Sequence, residues 1–158
     1  MPEVESAELK EGAKAPDFKL KSDDGKTYSL SQFRGNSEVV LYFYPKDDTP
    51  GCTKEACSFR DSFPHFTKEG VQILGVSNDD LDSHSKFRKK YNLNFPLLSD
   101  PDHVVSEEYG VYKSKNMYGK SFMGIERSTF IIDKDGRIKK IFRRVQVDGH
   151  TDEIMKNL

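Results

Sequence analysis

The sequence predicts an α/β fold, a mixed central β-sheet flanked by helices with a β-hairpin at its N-terminal end. Three observations predict it. Apolar, β-branched runs at 38–44 and 71–76 alternate with segments of helical spacing. Two acidic, glycine-containing turn signals, Asp23-Asp24-Gly25-Lys26 and Asp133-Lys134-Asp135-Gly136, each separate two extended segments. The length, 158 residues, suits one domain spanning 1–158. A domain of that size buries roughly 70% of the surface its unfolded chain exposes, so it folds without disulfides or metal.

Residues 1–12 read as a polar leader. Residues 17–21 alternate apolar and polar, the first turn signal follows, and 27–30 is a short extended piece; together they predict the hairpin. Residues 38–44 (Glu-Val-Val-Leu-Tyr-Phe-Tyr) are apolar on both faces and end at Pro45, the pattern of a central buried strand. A loop over 45–51, rich in Pro, Asp and Thr, comes next. Cys52, Ala56, Phe59, Phe63 and Phe66 then recur at spacings of 4, 3, 4 and 3, one face of a helix. Pro64 falls inside that pattern and is expected to kink or divide the helix near 60–63. Residues 71–76 form the next buried strand, closed by Ser77-Asn78-Asp79-Asp80. Residues 83–91 read as a basic surface helix, 95–98 as a short strand containing Pro96, and 103–109 as a short helix ended by Gly110. Residues 128–132 and 137–145 form a second hairpin around the second turn signal. Residues 151–158 close the chain as a helix with Thr151 as its N-cap. Strands alternating with helices, then a hairpin and a helix, fit a thioredoxin-like layout. Periodicity alone also admits a small flavodoxin-like domain.

Composition excludes several functions. With 25 Lys+Arg against 26 Asp+Glu, the net charge is −1, which argues against nucleic acid, whose partners are normally basic. No apolar run approaches the ~18 residues of a membrane span, so no membrane association is expected. Only 35% of residues are hydrophobic and 32% are charged, yet 11 Phe and 7 Tyr are too many for a disordered chain. Those rings must supply much of the core, because Trp is absent. Two cysteines exclude a disulfide-built scaffold and a four-cysteine zinc module. The N-terminus lacks the basic and apolar regions of a signal peptide, and no Asn-x-Ser/Thr acceptor occurs. A reducing cytoplasm is therefore expected, with an organelle form whose transit peptide has been removed left open. In such a compartment a cysteine pair is more often catalytic than structural. His65, His84, His103 and His150 show no ligand spacing with the cysteines, so neither metal nor cofactor is expected. Arg137, Lys139, Lys140, Arg143 and Arg144 read as a solvated hairpin face, with docking of an acidic partner as the alternative.

Cys52 is the residue to explain. It follows a buried strand and a Pro/Gly-containing loop, and it opens a helix. A helix N-terminus carries roughly +0.5 charge and unpaired N–H groups, both of which favour thiolate over thiol. The plainer alternative is a small buried hydrophobe in an apolar helix face. The flanking residues weigh against that alternative. The run Tyr44-Pro45-Lys46-Asp47-Asp48-Thr49-Pro50-Gly51-Cys52-Thr53-Lys54-Glu55-Ala56-Cys57 resembles the peroxiredoxins, and within them the bacterioferritin-comigratory-protein (Q-type) branch. The family pattern Pro-x-x-x-Thr-x-x-Cys is met by Pro45, Thr49 and Cys52. The branch's fuller form, Thr-Pro-Gly-Cys-Thr-x-Glu-Ala-Cys, is met by 49–57 without a departure. The likeness extends to Ala15-Pro16-Asp17-Phe18, Phe95-Pro96-Leu97-Leu98-Ser99-Asp100 and Arg127-Ser128-Thr129-Phe130.

The resemblance implies a thioredoxin fold and a thiol-dependent peroxidase acting on hydrogen peroxide and organic hydroperoxides. Thiolate attack on the O–O bond gives a sulfenic acid and releases water or an alcohol. Cys52 would be the peroxidatic nucleophile. Cys57 would resolve the sulfenic acid as an intramolecular disulfide that thioredoxin or a similar dithiol reduces; its plainer reading is a small buried residue. The Thr49 hydroxyl would accept from the peroxide and donate to sulfur. Arg127 would favour thiolate and developing oxyanion alike. Pro45 would wall the pocket without a competing N–H. Glu55 is placed either to hold the Arg127 guanidinium or to act as a first-turn acid. One rival is a thiol-disulfide oxidoreductase, disfavoured because Cys-x4-Cys replaces Cys-x-x-Cys and leaves Thr49 and Arg127 without a task. The other is a redox-switched binding or holdase protein. Resolution within one subunit needs no second chain, so a monomer is expected.

Overall fold

The structure, a computed structural model, describes residues 9–158. The first eight residues of the expected leader lie outside it. Strand β3 (Glu38–Phe43) decides the architecture, because Val39 through Phe43 are all buried and both faces of its sheet need cover. It pairs in parallel with β4 (Val71–Ser77) and antiparallel with β8 (Ser128–Ile132). Outside β4 lie β5 (Leu97–Ser99), parallel, and then the hairpin of β1 (Lys19–Ser22) and β2 (Thr27–Ser29). Outside β8 lies β9 (Ile138–Arg143), antiparallel. The order β2-β1-β5-β4-β3-β8-β9 is the expected mixed sheet, with the antiparallel neighbours that a flavodoxin-like parallel sheet lacks.

Alternate residues of β3 feed two cores, as the pleat requires. Val40 and Tyr42 join the face covered by α1 (Pro50–Lys68), α2 (Leu81–Tyr91) and α4 (His150–Met155), which contribute Cys52, Ala56, Phe59, Phe66, Phe87 and Ile154. Leu41 and Phe43 join the other face, with Phe130, Tyr109 and Val105, the last from α3 (Val104–Glu108). The Tyr42 ring stacks on Phe59 at 4.5 Å. Gly75 makes room for it, since a Cβ there would stand 3.0 Å from the ring.

Several expectations need correction. Helix α1 is continuous through Pro64 rather than divided. Proline has no N–H for the Arg60 carbonyl four residues back, and the Asn94 side chain donates to that carbonyl instead, at 3.3 Å. Thr151 is not an N-cap. It lies inside α4, whose N-cap is Gly149, and its hydroxyl sits 2.9 Å from Ser58 Oγ, tying α4 to α1. A second, two-stranded sheet of β6 (Tyr112–Met117) and β7 (Lys120–Ile125) occupies a stretch to which the sequence reading assigns no element. Its turn places Tyr118 at φ +54° and Gly119 at +78°, the two left-handed residues of a tight hairpin. The basic cluster is not uniformly solvated. Lys139 pairs with Glu38 and Arg144 with Glu126, while the Arg143 guanidinium lies 5.6 Å over the Phe130 ring with both terminal nitrogens buried. Among the described residues, no helix is long and apolar enough to cross a membrane.

Candidate active site

Strand β3 delivers the chain to Tyr44, the loop 45–49 turns it, and Pro50 opens α1 at a position where a missing N–H costs nothing. Cys52 therefore stands in the first turn, 2% exposed. Arg127 immediately precedes β8, and Ser128 pairs with Phe43, which brings the guanidinium to the end of β3. Its Nη2 donates to Cys52 Sγ at 3.3 Å and its Nη1 to Glu55 Oε1 at 2.6 Å. Gly51 permits this approach, since a Cβ there would lie 3.1 Å from Nη2. The six sequence-selected residues thus fall into three groups. Arg127 touches both Cys52 and Glu55. Pro45 and Thr49 stand on the adjoining loop, and Cys57 lies one and a half turns along α1, half-buried and, like Cys52, a free thiol.

The Thr49 hydroxyl donates to the Lys46 carbonyl at 2.8 Å. In this structure its only proton points to that carbonyl rather than to sulfur, leaving its lone pairs to accept. Glu55 is 1% exposed. Burial pushes its carboxyl up to about 7, with Arg127 pulling the other way. Burial alone would lower Arg127, but the charges of Glu55 and Cys52 hold it above its ordinary value. Glu55 Oε2 and the Tyr42 hydroxyl are both buried without a hydrogen-bond partner.

A second cluster braces the loop, and the sequence reading misses it. Asp47 is 6% exposed. Its Oδ1 accepts from the Tyr44 hydroxyl at 2.6 Å, and its Oδ2 from Ser83 Oγ at 2.8 Å. His84 Nδ1 lies 2.6 Å from the same Oδ2, and His84 Nε2 lies 2.9 Å from the Leu98 carbonyl. The Asp47 N–H donates to Asp79 Oδ2 at 2.8 Å. Next door, Asp48 accepts from Lys90 and from the Tyr91 hydroxyl, each at 2.9 Å. The loop thus lies along α2, bound near both of its ends. Asp47, Asp79 and His84 bring potential metal ligands within 4.8 Å of one another, but each is engaged in these hydrogen bonds. No local pattern announces the pair, because 37 residues separate Asp47 from His84.

The AhpC/TSA family profile matches residues 12–141. Among curated proteins, the chain is 52% identical over 147 residues to a putative peroxiredoxin bcp of Coxiella burnetii, covering 93% of this chain and 97% of that one. It is also 52% identical over 147 residues to peroxiredoxin Bcp of Bacillus subtilis, covering 93% of each. Among solved structures, a cysteine-to-serine mutant of Xylella fastidiosa PrxQ superposes with a TM-score of 0.89 at 36% identity, covering 96% of both chains. The Xanthomonas campestris bacterioferritin comigratory protein, studied for its alkyl peroxide reduction, superposes with a TM-score of 0.83 at 42% identity, covering 88% of both.

Proposed function

The chain belongs to the AhpC/TSA family, and from that premise we propose that Cys52 is the nucleophile and Cys57 the resolving thiol of its peroxidase cycle. The protein is a thiol-dependent peroxidase of the peroxiredoxin type, with a peroxide as substrate and a thiol as reductant. One observation carries the assignment of Cys52: the partly buried guanidinium that touches its sulfur at 3.3 Å while anchored on Glu55 at 2.6 Å. A fixed positive charge in a dry site stabilises thiolate in the ground state and the anionic leaving oxygen in the transition state.

The steps follow from that geometry. The Cys52 thiolate attacks one peroxide oxygen, the O–O bond breaks, and the departing oxygen takes a proton to leave as water or alcohol. Thr49 accepts a hydrogen bond from the peroxide, and Pro45 walls the pocket. Cys57 then attacks the sulfenic sulfur and expels water, forming a disulfide. Thioredoxin or a similar dithiol supplies the two electrons that restore both thiols. On a regular helix, five residues span about 7.5 Å of rise and roughly 140° of rotation, so the two Cα atoms lie about 8.6 Å apart. A disulfide seldom spans more than about 7 Å. The first turns of α1 must therefore unwind for resolution. Both thiols belong to one helix, so the cycle closes within a monomer, and a reducing cytoplasm suits it.

Intact mass after one equivalent of peroxide tests this reading. Wild type is expected to lose two hydrogens from its mass and to regain them with thioredoxin. Cys52→Ser should not react, and Cys57→Ser should react once and stop as a sulfenic acid. If Cys57→Ser loses the first reaction and Cys52→Ser keeps it, the roles are reversed. Peroxide consumption with no protein disulfide present separates the peroxidase from a disulfide oxidoreductase. Turnover with reductant separates it from a redox-switched binding protein.

A further inference from the structure

The loop 45–49 carries both Pro45 and Thr49, yet neither side chain anchors it. Asp47 does. Its Oδ1 accepts from the hydroxyl of Tyr44, the residue that precedes Pro45 in the chain. Its backbone follows Lys46, whose carbonyl sets the direction of the Thr49 hydroxyl. Any shift of Asp47 therefore moves both peroxide-facing residues together. His84, 0% exposed, holds Asp47 together with the Ser83 hydroxyl and Asp79. Its Nε2 faces a carbonyl oxygen, which only accepts, so that nitrogen carries a proton. Its Nδ1 faces a carboxylate that already accepts from Tyr44 and Ser83. Those donors favour the ionised carboxylate, so Nδ1 carries a proton as well.

We propose that His84 is a positioning residue for the peroxide reaction: as a buried imidazolium clamped between Asp47 and the Leu98 carbonyl, it fixes the loop that presents Pro45 and Thr49. The proposal rests on the reading of that loop as the peroxide-binding one. A buried charge pair is not expected to add much stability over apolar packing. What it adds here is a fixed loop position, and misplacing catalytic groups by about 1 Å can cost roughly 100-fold in rate.

The clamp is charge-dependent. Burial by itself would lower the His84 pKa. The hydrogen bond and charge of Asp47, the Leu98 carbonyl and the charge of Asp79 outweigh it and hold His84 above its ordinary 6.5. Facing the same pair are the Tyr44 hydroxyl from the end of β3 and the Ser83 hydroxyl from α2. Asp80, Asp82 and Lys86 line the cleft beside Asp47 and Asp48. These surroundings therefore favour the imidazolium, which is lost as pH rises through its raised folded value. An alkaline fall in peroxide rate follows, with His84 as its origin.

The test is the rate of Cys52 oxidation by hydrogen peroxide across pH in wild type, His84→Gln and Asp47→Asn, alongside the imidazole nitrogen resonances of wild-type His84. Both variants are expected to react roughly 10- to 100-fold more slowly at neutral pH, to lack the alkaline limb, and in combination to be no slower than either alone. The wild-type imidazole should carry two protons at neutral pH and titrate where the rate falls. A folded His84→Gln with wild-type rate and profile overturns the proposal. So does an imidazole with a single proton at neutral pH. Should the variants fail to fold, the wild type decides alone: coincidence of the rate limb with the His84 titration supports the clamp, and its absence defeats it. Failure of the loop reading looks different, since Cys52-dependent consumption would then be missing from wild type itself.

Discussion

Arg127 joins Cys52 to Glu55, and its variants separate charge from shape. Arg127→Ala is expected to slow the first reaction by roughly 100- to 1000-fold and to reduce the thiolate absorbance of the reduced protein in the low ultraviolet. Arg127→Lys should rescue only part, because an ammonium cannot donate in a fork to Sγ and Oε1 at once. Unchanged rate and absorbance in Arg127→Ala would remove it from the site. Gly51→Ala probes the same contact from the other side. The new methyl stands 3.1 Å from Nη2, so it should retard the peroxide reaction while leaving global unfolding by urea nearly unchanged. Most of this constellation was legible beforehand. Pro45, Thr49, Cys52, Glu55 and Cys57 sit in one short run whose spacing is visible, and Arg127 came from the likeness of its own short run. The Asp47–His84 pair and the service of Gly51 were not legible, because both are contacts between segments that are remote in sequence.

Helix α1 is the element that the proposed cycle needs both formed and expendable. Hydrogen exchange should show amides 53–59 losing protection in the oxidised form while those of β3 keep theirs. Equal protection of 53–59 in both redox states would rule out unwinding and with it the role of Cys57. Farther along, the Asn94 bond to the Arg60 carbonyl explains why Pro64 does not split the helix. Asn94→Ala should cost about 0.5–1 kcal/mol in urea unfolding. The same change in a Pro64→Ala background should cost little, because the restored N–H takes over the carbonyl. The sequence rule for proline was sound in what it said of the backbone donor; it could not see a side chain arriving from 30 residues away. The β6–β7 hairpin escaped for a related reason. Its turn puts Tyr118, a bulky residue, in the left-handed region, where Asn or Asp is the usual signal.

Across the whole molecule, buried titratable groups couple stability to pH. Folded Glu55 holds its proton up to about 7, against an ordinary 4.5. Between those values the folded state binds more protons, so stability falls as pH rises and levels off above about 7. His84, raised above 6.5, contributes fully below that value, and its contribution disappears as pH rises through the folded one. His150, lowered by burial, runs the other way: its contribution is complete above 6.5 and is lost as pH falls through its folded value. Urea midpoints should therefore decline from mildly acidic to alkaline pH, with Glu55→Gln flattening the lower part of the decline and His84→Gln the upper part. A profile unaltered by either substitution would mean that neither proton is held as described.

The loop bearing Pro45 and Thr49 is fastened to α2 by two successive aspartates as well as running into α1. In the proposed cycle, reduction thus leaves only the first turns of α1 to rewind against a frame that α2 holds in place. Helix relaxation of that kind takes on the order of 0.1–1 μs. Encounter with a protein reductant, at about 10⁵–10⁷ M⁻¹s⁻¹, is far slower at cellular concentrations. Recovery of peroxide reactivity should therefore rise in proportion to reductant concentration, with no plateau set by refolding.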